Sequence, residues 1–416
     1  MDKSFLEYKA KKEQERNKEK SKFNEMLFNT QYDELAPVVD EINNANLTWK
    51  AEMNPKFKGM SLVQVRAALG LNKGKDKITE KQYKKLEKKQ KENMGQNQPK
   101  FEFHLDSKSQ SKINSNPFSF VQVKNLKRKD VQPEKDSQYV TDPKEILKYL
   151  NTKIEKMDEN VLPRNWDWRN VGGENFVPKA LTQAGCGGCY AFATVLGLES
   201  RLRIKTLNKD KTEFSIQFPL SCNFYSEGCD GGFPVLLGKF FHEFEVIPKE
   251  WFELTKQTGQ CQGYCDYEKI YSKKYVVSDY GYIGKFYTGT NEVAMLKELR
   301  ARGPILGSLV VQPSFYSYKN GIYSTTPLIK NSDYLNYESP YDKNEEYVHE
   351  EHSVLIVGYG EENGVKYWIC LNSWGESFGE DGTFRIIRGV NDSNIEGMSE
   401  YANIDVFDRK TGKKLA

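Results

Sequence analysis

The stretch Gln183-Ala184-Gly185-Cys186-Gly187-Gly188-Cys189-Tyr190-Ala191-Phe192 is a glycine-rich loop that delivers a cysteine into the start of an apolar segment. After Cys189, residues Phe192, Val195, Leu196, Leu202 and Ile204 recur at roughly helical spacing. This predicts a buried helix with the Cys189 thiol at its N-terminus. Unpaired backbone N–H groups and the positive end of the helix dipole stabilise a thiolate there. A free cysteine with a pKa of about 8.5 falls by several units when a cationic partner is also close.

The partner with the right chemistry is His352, at the head of Val354-Leu355-Ile356-Val357-Gly358, an apolar run that reads as a strand. Asn372, within Trp368-Ile369-Cys370-Leu371-Asn372-Ser373-Trp374-Gly375, supplies a group to orient the second imidazole nitrogen. Between them, Glu361-Glu362-Asn363-Gly364 predicts a tight hairpin that sets histidine and asparagine side by side. Thr383-Phe384-Arg385-Ile386-Ile387-Arg388 predicts a further strand of the same sheet. Gln183 offers a side-chain amide, and the Cys189 N–H a second donor, to an oxyanion formed on acyl attack. A lone cysteine or histidine is more often a core residue. Four residue types in these contexts and this chain order point instead to nucleophilic catalysis.

The block from about Leu162 to Phe407 resembles the papain family of cysteine peptidases, and within it the cathepsin C (dipeptidyl peptidase I) group. The narrower likeness rests on Leu162-Pro163-Arg164-Asn165-Trp166-Asp167-Trp168-Arg169-Asn170-Val171 at the mature start, on Tyr190 where most relatives carry tryptophan, and on Cys229-Asp230-Gly231-Gly232-Phe233-Pro234. The resemblance implies an α+β, two-lobed fold. A helical left lobe led by the Cys189 helix faces a β-barrel-like right lobe bearing His352 and Asn372, with the site in the groove between. It implies Cys189, His352, Asn372 and Gln183 as catalytic residues acting through an acyl-enzyme thioester on a peptide or protein substrate, with no metal or organic cofactor. It implies Gly231, Gly232, Tyr190 and Trp374 as substrate-binding residues, with Trp374 also shielding the His–Asn contact.

The resemblance further implies disulfides Cys186–Cys229 and Cys222–Cys261, a free Cys265, because Trp251 stands at its partner's position, and Cys370 as a small core residue. From the residues alone, reduced or metal-bound cysteines stay open, although no second Cys-x-x-Cys with matching histidines supports a zinc site. Departures from the family pattern are Gly188 in place of serine, Phe378 where a second tryptophan is common, Glu351 directly before His352, and an enlarged polar loop over 331–346.

None of the seven cysteines precedes Cys186, and the charged residues crowd into the first third of the 416-residue chain. Hydrophobic residues make up 38% and the net charge is only +3, which suits one large catalytic domain with an N-terminal extension and excludes a general polyanion binder. Residues 1–24 form a charged arm, read as solvated, with docking to a protein partner as the second reading. Residues 25–72 are a propeptide-like helical region. Leu27, Tyr32, Leu35, Val38, Val39 and Ile42 recur at helical spacing, and Ser61-Leu62-Val63-Gln64 opens a short capping-box helix closed by Gly70. Two such helices around Trp49 resemble the family propeptide that occludes the cleft. Residues 73–161 are a basic linker followed by a connecting helix from Thr141-Asp142-Pro143 to about Met157. The peptidase domain spans 162–409, with a tail at 410–416.

Nucleic-acid binding has no motif behind it, and no run reaches transmembrane length. The resemblance implies a lysosomal, vacuolar or secreted protein, whereas the start of the sequence shows no apolar leader, which leaves a cytoplasmic location open. No counterpart of the exclusion domain of the cathepsin C group is seen, so dipeptide-wise cleavage is not carried over and endopeptidase action stays open. The rival reading is a peptidase-derived, non-proteolytic scaffold acting in the cytoplasm.

Overall fold

A computed structural model describes residues 30–71, 134–261, 271–287, 289–325 and 352–416. The arm at 1–24, the lysine-rich stretch up to residue 133, Cys265, the loop at 331–346 and Glu351 lie outside the described residues.

The helix read from the Cys189 stretch is α4, Cys189–Lys205, and among the described residues it follows three shorter ones. These are α1 (Ala36–Asn44), α2 (Leu62–Ala68) and α3 (Pro143–Leu147). Every residue of α4 except Arg203 and Lys205 is buried. It is a spine between two cores rather than an amphipathic surface helix. Tyr190, Phe192, Val195, Leu198 and Leu202 face one apolar cluster, together with α6 (Pro234–Glu243). Ala193, Leu196 and Ile204 face the other, together with the strands around His352. Helices α5 (Gln217–Cys222) and α7 (Glu292–Arg302) complete the set used below.

The strands are β1 (Trp49–Ala51), β2 (Trp166–Asp167), β3 (Lys273–Tyr282), β4 (Ile305–Leu309), β5 (Tyr318–Tyr323), β6 (His352–Glu362), β7 (Val365–Leu371), β8 (Thr383–Ile387) and β9 (Ser399–Asp408). They form one sheet in the order β1-β5-β8-β7-β6-β4-β9-β3, with β2 paired to β6. Strands β6 and β7 are joined at Asn363 and Gly364, both at positive φ, as an Asn-Gly turn between twisted strands requires. Both disulfides form as the resemblance implies, Cys186 with Cys229 and Cys222 with Cys261.

The N-terminal residues 30–71 are built into this sheet. Trp49 lies not between two helices in a separate unit but on β1, which pairs with β5 and supplies the sheet's edge. Its ring packs against Tyr318 and Tyr323. The capping box of α2 forms as its sequence predicts: the Gln64 N–H donates to Ser61 Oγ, and the Ser61 N–H donates to Gln64 Oε1 at 2.8 Å.

The connecting helix is shorter than its sequence suggests. It ends at Leu147 instead of about Met157, and a separate 3-10 turn follows at Ile154–Lys156. The reason is tertiary. Arg300 and Arg302 of α7 take the carbonyls of Glu145 and Thr152 as hydrogen-bond acceptors, and Tyr149 donates to Glu134. The chain follows these partners rather than the helical ladder.

Candidate active site

Cys189 is the first residue of α4, after the cap residue Gly188. A Cβ at Gly188 would come within 2.9 Å of the end of the Leu220 side chain and 3.2 Å of the Cys186 sulfur, so the usual serine would need Leu220 to shift slightly. His352 opens β6, and Asn372 follows the last residue of β7. The hairpin register pairs Leu355 with Leu371, which brings the two side chains together.

The His352 Nε2–H donates to Asn372 Oδ1 at 2.7 Å. The Ser373 main-chain N–H donates to the same oxygen at 2.8 Å. A main-chain N–H can only donate, so the atom is the amide oxygen, and the shared imidazole proton lies on Nε2. The other nitrogen, Nδ1, is buried without a hydrogen-bond partner and carries a free lone pair. Trp374 stacks over the imidazole with ring centroids 4.9 Å apart, and Phe378 meets Trp374 edge-on. Water is thereby kept from the His–Asn contact. The Cys189 thiol rests against the residue after His352, within hydrogen-bonding reach of the main chain and hydroxyl of Ser353 and of the Tyr190 N–H.

Gln183 is fully buried. Its Nε2 donates to the Cys186 carbonyl at 2.9 Å, and its Oε1 accepts from the Ser373 hydroxyl. Its main-chain N–H donates to the Ser373 carbonyl at 2.8 Å. One Nε2 hydrogen therefore remains for a further acceptor. Ser373 binds the amides of both Asn372 and Gln183, a junction that the sequence pattern did not single out.

Gly231 is at positive φ with open space where a Cβ would stand, and its backbone is held in the loop, its carbonyl accepting from the Glu227 N–H at 2.9 Å and its N–H donating to the Gly228 carbonyl at 3.4 Å. Gly232 packs onto Ser226 and the Tyr190 ring. Tyr190 itself has no exposed surface and donates to the Gly228 carbonyl, so it supports this segment from behind.

The electrostatics differ from the sequence expectation of a depressed thiol pKa. Burial pushes Cys189 above its ordinary value, against the lowering effect of its hydrogen bonds from Ser353 and Tyr190. Burial also pulls His352 down to about 4, opposed by its hydrogen bond to Asn372. Both shifts favour the neutral form of the group concerned. Residues 30–71 reach this site at Gln183. Gly70, in the left-handed region at φ +72°, lies so close to the site that a Cβ on it would sit 2.3 Å from the Cys186 carbonyl oxygen and 2.4 Å from Gln183 Nε2. The sequence places Gly70 as a helix terminator, and nothing local in it signals the contact with Gln183.

Residues 162–403, more than half of the chain, match the papain family cysteine protease domain, and the chain belongs to that family. It is 36% identical over 242 residues to a cathepsin C of Schistosoma mansoni, covering 57% of this chain and 50% of that protein. It is 32% identical over 254 residues to cathepsin B-like CP2 of Giardia intestinalis, covering 60% of this chain and 76% of that one. The chain thus spans half the length of the Schistosoma relative. Among solved structures, procathepsin B S9 of Trypanosoma congolense shares the fold with a TM-score of 0.54 at 19% identity, covering 89% of this chain and 97% of that one.

Proposed function

We propose that this chain hydrolyses peptide bonds in peptide or protein substrates through a Cys189–His352–Asn372 site, and that residues 30–71 are an inhibitory prosegment. The observation that carries the reading is the buried imidazole, fixed by Asn372 through Nε2 and left with a lone pair on Nδ1, while Ser353, the residue after it, lies against the Cys189 thiol.

Once the cleft opens to water, the burial that holds both groups neutral is relieved. Nδ1 then takes the thiol proton, and the thiolate attacks the scissile carbonyl. The oxyanion accepts from the Cys189 N–H and from the remaining Gln183 Nε2 hydrogen, whose direction is fixed by Ser373 and the Cys186 carbonyl. The imidazolium then protonates the leaving amine, and water hydrolyses the thioester. Gly232 offers backbone to an extended substrate, with Gly231 turning the loop and the buried Tyr190 holding that segment in place. In the intact chain Gly70 lies against the Gln183 amide, and this closeness supports the reading of residues 30–71 as a cover over the site.

The test is amide hydrolysis by the processed protein. Cys189→Ala should abolish turnover, and Gln183→Ala should lower kcat by roughly 10²–10³-fold, the usual effect of losing one oxyanion donor. Turnover that survives Cys189→Ala would rule the reading out.

A further inference from the structure

The family resemblance places the start of the mature protein at Leu162, which makes everything before it removable. Residues 134–161 do not have the character of a removable segment. Arg300 of α7 belongs to the peptidase body and is 1% exposed. Its guanidinium lies over the Trp166 ring at 4.0 Å on one side, and the Tyr149 ring stands 5.1 Å away. The hydrogen bonds of that buried cation go to residues upstream of Leu162. Nε and Nη2 donate to Glu134 Oε2 at 3.1 and 2.8 Å, and Nη2 also donates to the Glu145 carbonyl at 3.2 Å. Lys148 and the Tyr149 hydroxyl hold the other Glu134 oxygen at 2.7 and 2.6 Å. Around this anchor, Asp136 takes both the main-chain and side-chain N–H groups of Asn165, Ser137 accepts from the Asp167 N–H and the Gly172 N–H, and Val140, Ile146 and Met157 are buried.

We propose that residues 134–161 are a permanent strap of the peptidase body, anchored by Glu134 and Tyr149 on the buried Arg300, and that they stay in place when prosegment 30–71 is removed. The proposal takes the prosegment from the reading above. Removing the strap would strip Arg300 of its carboxylate, of the Glu145 carbonyl and of the Tyr149 ring together, and losing the counter-ion of a cation packed on Trp166 costs more than exposing a neutral surface. Burial acts to raise the Glu134 pKa, but hydrogen bonds from Lys148 and Tyr149 and the charge of Arg300 outweigh it and hold the carboxylate below its ordinary value, as a working counter-ion requires.

The full chain is processed by acidification or limited proteolysis, and the folded product is read by native separation, intact mass and N-terminal sequencing. The expected product has lost residues 30–71 and retains 134–161, whether or not Cys189 proves reactive, so this outcome is independent of the proposed chemistry. A folded product that begins near Leu162 with no strap bound, and whose thermal midpoint equals that of the strapped form, overturns the proposal. The anchor is tested by a variant pair. Glu134→Ala should lower the thermal midpoint of the processed body by roughly 5 °C or more. The same change in an Arg300→Met background, where no buried charge needs a partner, should shift it by much less. Equal shifts in the two backgrounds would show that Arg300 is not the anchor and would also overturn the proposal.

Discussion

The proposed prosegment 30–71 and the proposed strap 134–161 both precede the peptidase domain and both pack on it, yet they leave different chemistry behind if they depart. The prosegment's buried contacts with the body are made largely by neutral groups: β1 against β5, Trp49 against two tyrosines, the Tyr32 hydroxyl with the Ser317 hydroxyl, and Gly70 over the Gln183 amide. Among the described residues its ion pair to the body, Glu52 with Lys319, is exposed, and its buried Arg66, which donates to the Tyr316 hydroxyl, leaves with it. The strap, in contrast, carries the counter-ion for a cation that stays. An apolar, neutral contact can be opened at moderate cost, whereas orphaning a buried charge costs about 3–5 kcal/mol. Two segments on one domain can therefore be a cover and a structural part, and the distinction lies in which side keeps the charge.

The largest effect should come from breaking the cover at Gly70. Gly70→Val adds a side chain where a Cβ already meets backbone at 2.3 Å, and it strains a left-handed φ. The intact variant should alkylate at Cys189 at least ~100-fold faster than the unmodified chain, as the loss of a few kcal/mol of cover implies. Gly59→Ala is the control. Gly59 has the same φ of +72° with nothing within 4 Å, so the variant should stay latent apart from slight loosening.

Trp49→Ala and Tyr149→Ala sharpen the contrast. Emptying the Trp49 site removes about 3–5 kcal/mol of packing from the cover. It should raise Cys189 reactivity in the intact chain and leave the thermal midpoint of the processed body unchanged. Tyr149→Ala should do the reverse, lowering the midpoint of the body without opening the cleft.

Acid should act on the cover in a defined direction. His352 is held at about 4 by burial, against an ordinary 6.5. Between those values an uncovered imidazole binds a proton that the covered one refuses. The covered state is therefore favoured above pH 6.5 and loses up to about tenfold per pH unit as pH falls toward 4. Hydrogen exchange of residues 49–71 in a Cys189→Ala chain should accelerate across that window. Flat protection from pH 7 to 4 would break this link.

The smallest effect concerns the body. Glu400, buried on β9 and accepting from the Val235 N–H, is pushed up to about 8 by burial, as is Glu199 on α4. Carboxylates held neutral by the fold contribute stability that is present below their ordinary value of 4.5 and is lost as pH rises toward 8. Glu400→Gln should reduce the fall in thermal midpoint between pH 5 and 8. An unchanged slope would show that Glu400 has no part in that fall.

The parts legible in the sequence are those with local signatures. The apolar run after Cys189 marks the spine helix, Asn363-Gly364 marks the hairpin that pairs His352 with Asn372, and Ser61 with Gln64 marks the cap of α2. What local patterns could not show are the pairings across long stretches of chain. Gly70 with Gln183, Ser373 with Gln183 and Glu134 with Arg300 each join residues more than a hundred positions apart and carry no periodicity. The same tertiary bonds cut the connecting helix short at Leu147, because α7 arginines took its carbonyls. Nor is the direction of the Cys189 shift written locally, since the desolvation comes from packing around the thiol.

The central claim is that a competent cysteine site lies under residues 30–71. It is tested most directly by treating the intact and the processed chain with an epoxide that alkylates papain-type thiolates, reading Cys189 occupancy by mass spectrometry against Cys189→Ala. Full labelling is predicted after residues 30–71 are removed, and little before. Equal labelling of the intact chain would contradict the cover, and no labelling of the processed chain would contradict the site.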